Sequence, residues 1–346
     1  MTRKAFTRRY PEAALPVLDL EGTTADCGER LGFAWRDPLR LTASQCAENA
    51  RPWWQERRFA KVIGRCAPHL PALFSAMAKG AGVPDHKVGE PAPVAEKGGC
   101  TSFIIQPRAA LDGATITGQT KDTHEERIYH FLVLRLALTD APRTLTLTYP
   151  GWLFGHGFVR GGTAIFRNSL YAGEYGGPLP YPGWGLLALH CPTVEDVVKL
   201  VRDCGPNSGF HNTVADEHGG AIGIEAGKGG LCVLPARKGI YTHANAVVFS
   251  KRLKRFEDKG GNTFAHKNSR HRQTRLRELL EVNRGRLTAQ LAYMALADHQ
   301  GFPTSICRHE STKAMTTSAV VVEPSKGLLH ATHGPTCQNW VQTVSL

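Results

Sequence analysis

From Cys100 onward the chain carries its strands in blocks and its helices in blocks. Apolar residues recur with a period of two in TSFIIQ, ATITGQT, RIYHFLVLRLAL and RTLTLTY, where Leu145, Leu147 and Tyr149 alternate with Thr144, Thr146 and Thr148. FHNTVADEHGGAIGIEAG follows as a hairpin with its turn at 216–220, and GLCVLP and GIYTHA extend the series. Two helical stretches, SRHRQTRLRELLEVN and LTAQLAYMALADH, come next, and KAMTTSAVVVEP and GLLHATH close the chain as strands. A doubly wound parallel sheet needs strict alternation of strand and helix. This order predicts an α+β fold, with antiparallel sheets covered by helices.

The first hundred residues differ in character. Residues 23–80 have apolar positions at helical spacing, clearest in RFAKVIGRCAPHLPALFSAMAKGAG with its glycine-rich stop. Residues 83–99, VPDHKVGEPAPVAEKGG, predict an exposed irregular connection and the first natural boundary. Glycine and proline dominate 150–187, while PTVEDVVKLVRDCG predicts a helix capped by Thr193.

A chain of 346 residues with 42% hydrophobic content can bury a substantial core. It has no apolar run of secretory or membrane-spanning length, so a cytoplasmic protein without a membrane partner is expected. Nine cysteines without a CxxC pair predict mostly buried thiols rather than a disulfide scaffold. The net charge of +12 concentrates in 251–277, where a solvated helical face is the expected explanation. A basic nucleic-acid-binding protein is the alternative from another class, but no aromatic platform or helix-turn-helix pattern supports it. Among the 15 histidines there is no HExxH pair, and His330 and His333 lack ligand partners at a known spacing. No metal and no cofactor is expected.

The hexapeptide KGGCTS at 97–102 places a cysteine behind two flexible glycines. Cutting the bond between Gly99 and Cys100 would put a thiol and a new α-amino group on one residue. Such an amine has an ordinary pKa of roughly 7.7–8.0 and can take the thiol proton near neutrality. The same thiol can make the cut by attacking the Gly99 carbonyl to give a thioester that water opens. Turnover then needs donors aimed at the developing oxyanion and groups that hold the amine.

The stretches GCTSF, GQTKDT at 118–123, FRNSL, NTVADEHGGAIGIE, YTHANAVVF and SICRH occur in one order along the chain. In that order they resemble the acyl-coenzyme A:6-aminopenicillanic acid acyltransferase-like family of autoproteolytic N-terminal nucleophile hydrolases, and LEGTTADCGERLG resembles the family's opening turn into a helix. The likeness runs from about residue 20 to the end. It implies a four-layer αββα sandwich, with residues 1–99 as a helical segment that stays bound as a small subunit and 100–346 as the catalytic large subunit. It also implies Cys100 as nucleophile, Asp122 as the acid that orients the new amine, Asn245 and Asn168 as oxyanion donors, and Arg308 beside the thiol. From the residues alone, Asp122 could be a turn carboxylate, the two asparagines could satisfy turn amides, and Arg308 could pair with a buried acid. His243, His299 and His309 have no assigned role.

Thr120 and Thr123 depart from an asparagine and an aromatic residue of the family's pattern, Ala244 and Ala246 from threonine and histidine, and Val159 from an asparagine. These positions surround the expected substrate pocket. The substrate implied is a small-molecule amide or an acyl thioester, acyl-coenzyme A included. A processed relative that binds ligands without turnover is a third reading.

Overall fold

The computed structural model describes residues 14–47, 51–89, 99–257, 263–309 and 314–346. In chain order the elements are β1 (Val17–Gly22), α1 (Thr24–Ala34), α2 (Arg36–Gln45), α3 (Ala60–Cys66), α4 (Leu70–Ala81), β2 (Gly99–Ile105), β3 (Ile116–Thr123), β4 (Leu132–Leu138), β5 (Thr144–Thr148), β6 (His156–Val159) and β7 (Thr163–Asn168). There follow α5 (Tyr181–Leu189), α6 (Val194–Cys204), β8 (Phe210–Asp216), β9 (Ala221–Gly227), β10 (Gly230–Pro235), β11 (Ile240–His243), α7 (Lys251–Lys254), α8 (Thr263–Val282), α9 (Ala289–Leu296), β12 (Met315–Glu323), β13 (Leu328–His333) and β14 (Gln342–Ser345).

The strands form two sheets. One has the order β1-β4-β5-β6-β7-β8-β9-β10 and the other β11-β2-β3-β12-β13-β14. Neighbours run antiparallel throughout except β1, which lies parallel to β4. Side-chain alternation sorts β4 cleanly: Leu134, Leu136 and Leu138 join the helices in one core, while Val133 faces the second sheet. Between the sheets Leu145, Leu147, Phe158 and Phe166 meet Val320, Val322, Leu329 and Ala331. On the far side of the second sheet Phe103, Ile105 and Ile240 pack on Leu276 and Leu280 of α8 and Leu296 of α9. The result is the expected αββα layering.

The N-terminal segment is woven into this frame. β1 completes an edge of the first sheet, and α1 and α4 bury Cys27, Leu31, Leu73, Phe74 and Met77 in its outer core. The helical periodicity of RFAKVIGRCAPHLPALFSAMAKGAG resolves into α3 and α4, and α4 stops at Gly82, whose φ of 67° is the left-handed conformation that glycine adopts without strain. Of the expected irregular connection, Asp85–Lys87 forms a 3-10 turn and Val88 is buried; residues 90–98 lie outside the described residues.

Several expectations need correction. The stretch 150–187, dominated by glycine and proline, holds elements that the sequence did not announce: β6, β7 and all but the end of α5. α5 is buried along its whole length, with Gly183 against the Trp53 ring, so it is apolar all round and shows no amphipathic period. The threonine face of β5 is buried too, with Thr148 Oγ1 donating to the carbonyls of Trp152 and Phe154. RIYHFLVLRLAL becomes strand only from Leu132, after a 3-10 turn at Glu125–His130. Of the nine cysteines only Cys27, Cys100, Cys191 and Cys307 are buried. Thr193 does cap α6, accepting from the Asp196 amide at 3.2 Å.

Candidate active site

Four strand ends of the second sheet meet at one edge. β2 begins with Gly99 opposite Asp122 and Cys100 opposite Lys121 on β3. β12 sets Thr316 opposite Asp122. β11 runs antiparallel to β2 and ends with His243 opposite Ser102, which brings Asn245 level with Cys100. The Cys100 amide donates to Asn245 Oδ1 at 3.0 Å.

Alternation along β2 turns Cys100 and Ser102 toward the first sheet and Thr101 toward α8. Asp122 is fully buried. Thr316 Oγ1 donates to its Oδ1 at 2.8 Å, while Oδ2 accepts no hydrogen bond among the described residues and lies 3.5 Å from Arg308 Nε. That oxygen lies beside Gly99. A Cβ on Gly99 would stand 2.8 Å from Asp122 Oδ2 and 3.2 Å from Arg308 Nη1, so the position has room only for glycine.

The basic run expected to form a solvated face supplies the centre's buried cation instead. Arg272 of α8 is 2% exposed. Its Nη1 donates to the Cys100 carbonyl at 2.7 Å and to Thr101 Oγ1 at 2.6 Å, its Nη2 to Asn245 Oδ1 at 2.8 Å and its Nε to Asn268 Oδ1 at 2.8 Å. One turn earlier on the helix, Ser269 Oγ accepts the amides of Asn245 and Ala246 at 2.7 and 2.8 Å and fixes the chain after β11. Arg308 lies against Asp122 and Gly99, and also donates to Asn268 Oδ1 and, through Nε, to the Ser305 carbonyl at 3.2 Å.

Burial dominates the electrostatics. It pushes the Cys100 thiol above its ordinary value, against the charge of Lys121 and the nearby Asp122 amide and Arg272, so the thiol of the continuous chain is neutral at physiological pH. Burial likewise raises the Asp122 carboxyl, opposed by Arg308, Arg272 and the Thr316 hydroxyl. It lowers Arg272 to about 9, helped by the charge of Arg308, and leaves it a cation at neutral pH.

Asn168 sits on β7 across the sandwich. Its Oδ1 accepts from Ser102 Oγ at 2.8 Å and lies 3.1 Å from His211 Nδ1, and its Nδ2 has no hydrogen-bond partner among the described residues. His211 Nε2 meets the Tyr241 hydroxyl at 3.0 Å, and its ring stacks on His243 with centroids 3.5 Å apart. His243 Nε2 in turn lies 2.8 Å from Glu225 Oε1 in a fully buried pair. Asn245 Nδ2 donates to the Ser169 carbonyl at 3.0 Å. His330 and His333 serve the C-terminal strands, His330 between Thr343 and Glu323 and His333 on the Ile128 carbonyl.

The structure thus gathers Gly99, Cys100, Asp122, Asn245 and Arg308 at one point, with Asn168 one strand position deeper at Ser102. Arg272, Asn268, Ser269, Thr316 and Lys121 went unrecognised in the sequence. For Arg272 a signal existed: it stands at helical spacing from Leu276 and Leu280, on the buried face of α8.

Two facing antiparallel sheets between helical layers, with a cysteine at the start of a central strand, define the N-terminal nucleophile hydrolase class. A point mutant of the conjugated bile acid hydrolase from Clostridium perfringens shares this fold at a TM-score of 0.51, with 12% identity over 71% of this chain and 92% of that chain. Penicillin V acylase from Agrobacterium tumefaciens aligns over 72% of this chain and 79% of that chain, with 11% identity and a TM-score of 0.38. The chain belongs to the family described as acyl-coenzyme A:6-aminopenicillanic acid acyl-transferase, whose model matches residues 112–334, and it is an enzyme of the acyltransferase kind. That match begins after Cys100. No curated protein matches the sequence significantly.

Proposed function

We propose that the chain matures by cutting itself between Gly99 and Cys100 and then uses Cys100 as a thiol nucleophile on a small-molecule amide or acyl thioester. The observation that carries this reading is the Asp122 oxygen that accepts no hydrogen bond among the described residues and lies beside Gly99, where only the absence of a side chain leaves the approach open. In the first reaction Cys100 Sγ attacks the Gly99 carbonyl carbon, the C–N bond breaks, and the thiol proton passes to the departing nitrogen. Water then opens the thioester, leaving the Gly99 carboxylate and the Cys100 amine.

The new ammonium gains hydrogens that the amide lacked. Asn245 Oδ1 holds one, as it holds the amide proton of the continuous chain, and Asp122 receives another. Deprotonated, the amine takes the thiol proton, and Sγ attacks the substrate's acyl carbon. Oxyanion donors come from Asn245 Nδ2, which has a second N–H beyond its bond to Ser169, and from Asn168 Nδ2. Arg272 fixes the Cys100 carbonyl and the asparagine, and Arg308 balances Asp122. The leaving amine or thiol takes the proton back, and water or an acceptor amine releases the acyl group. Acyl-coenzyme A, an anion through its phosphates, suits the chain's net charge of +12 as an acyl donor.

Residues 1–99 stay bound as the small subunit, because β1, α1 and α4 are built into the first sheet and its core. Among the described residues no helix is long and apolar enough to cross a membrane. A cytoplasmic enzyme is the reading we adopt. The test is intact-mass analysis after incubation with phenylacetyl-coenzyme A and with its amide analogues. An acyl adduct on the fragment that begins at Cys100, absent from Cys100→Ala, supports the reading; acylation elsewhere, or none with turnover intact, contradicts it.

A further inference from the structure

Away from this centre, three segments bring two histidines and two cysteines together. His299 follows α9, Cys307 and His309 flank Arg308 on the segment leading to β12, and Cys337 lies in the turn after β13. One ligand atom from each of His299, His309 and Cys337 lies within 4.8 Å of the other two. The two imidazole Nε2 atoms are 3.0 Å apart, and Cys307 Sγ is 3.7 Å from Cys337 Sγ.

The nitrogen–nitrogen and sulfur–sulfur separations are close to two edges of a metal tetrahedron. With zinc–nitrogen bonds of about 2.0–2.1 Å and zinc–sulfur bonds of about 2.3 Å, its edges are about 3.3 Å between nitrogens and about 3.8 Å between sulfurs. We propose that His299, His309 and Cys337 form a site for zinc or a similar thiophilic divalent cation, with Cys307, 3.7 Å from Cys337 Sγ, swinging in as the fourth ligand. With that fourth ligand the coordination sphere closes, which assigns the ion a structural role.

The backbone around the ligands is held in place independently. The Cys307 amide donates to the Asp298 carbonyl at 3.0 Å, Asp298 is clamped by the Arg275 guanidinium at 2.8 Å, and the Gly334 amide donates to the Thr317 carbonyl at 3.0 Å. Phe302 covers His309 with ring centroids 5.4 Å apart. An ion here ties the segment after α9 to the turn after β13. Arg308, between two ligands, is thereby positioned against Asp122. The sequence concealed the site because no two of its ligands stand at a known zinc spacing.

The full chain, purified under reducing conditions, stripped with chelator and reloaded with zinc or cobalt, tests this. We expect about one zinc per chain after dialysis and a tetrahedral cobalt spectrum with thiolate charge-transfer absorption. Zinc should raise the melting temperature of the wild type. Cys337→Ser and His299→Gln, each checked for folding by circular dichroism, should lose at least roughly tenfold in zinc affinity. A reloaded wild type without zinc, an octahedral cobalt spectrum lacking the thiolate band, or folded variants with unchanged affinity would overturn the site.

Discussion

Arg272 Nη1 donates to the carbonyl oxygen of Cys100 at 2.7 Å, and the neighbouring Nη2 donates to the asparagine oxygen that accepts the Cys100 amide. One buried guanidinium therefore fixes the peptide group that follows Cys100 and, through Asn245, the Cys100 nitrogen that the proposed cleavage would free. It does so from a helix rich in basic residues, whose other arginines face outward, as Arg270 does, or pair with acids, as Arg275 does with Asp298 and Arg277 with Glu281.

Arg272→Lys keeps the charge but loses the planar fork that serves four acceptors. Breaking up a buried charged network costs about 3–5 kcal/mol, so we expect a large fall in unfolding free energy and slow processing. Urea titration and electrophoresis of the freshly made chain measure both. A variant with wild-type stability and processing would show that Arg272 is not structurally central.

At Gly99 a methyl group would meet Asp122 Oδ2 at 2.8 Å. We expect Gly99→Ala to fold, because only the edge of β2 must shift, but to process at least about tenfold more slowly, equivalent to about 1.4 kcal/mol in the barrier. The uncut band followed over time reports the rate. Processing at the wild-type rate would mean that the approach of Asp122 to residue 99 plays no part in cleavage.

Much of this arrangement is legible in the sequence, and the rest is hidden for identifiable reasons. The period of two in TSFIIQ and RTLTLTY locates strands because neighbouring side chains point to opposite layers, and Thr193 announces α6 by its cap. β6, β7 and α5 are concealed by glycines that look like loop residues but permit close packing, as Gly183 does beneath Trp53. Cys100, Asp122 and Asn245 stand out in their motifs. Arg272 does not, because a buried arginine among solvated ones differs only in the helical face it occupies, and Thr316 and Lys121 reach the site through strand register, which local sequence does not display.

Glu225 and His243 form a fully buried pair whose acid dependence can be measured. Burial alone would raise the Glu225 carboxyl, but the hydrogen bond and charge of His243, with the amides of Val248 and Phe249, outweigh it and hold the group below its ordinary 4.5. A depressed carboxylate adds stability that is fully present above 4.5 and is lost as the pH falls through the folded-state value. We expect Glu225→Gln to be less stable than wild type at neutral pH, with the difference shrinking in acid below 4.5. Denaturant titrations at several pH values test the sign, and a difference that widens toward acid would refute it.

The account rests on residue 100 becoming a chain terminus, which N-terminal sequencing of the purified protein reads directly. We expect two sequences from the wild type, one from the start of the chain and one beginning Cys-Thr-Ser, and only the first from Cys100→Ala. A fully active wild-type enzyme in which no chain begins at Cys100 would contradict it.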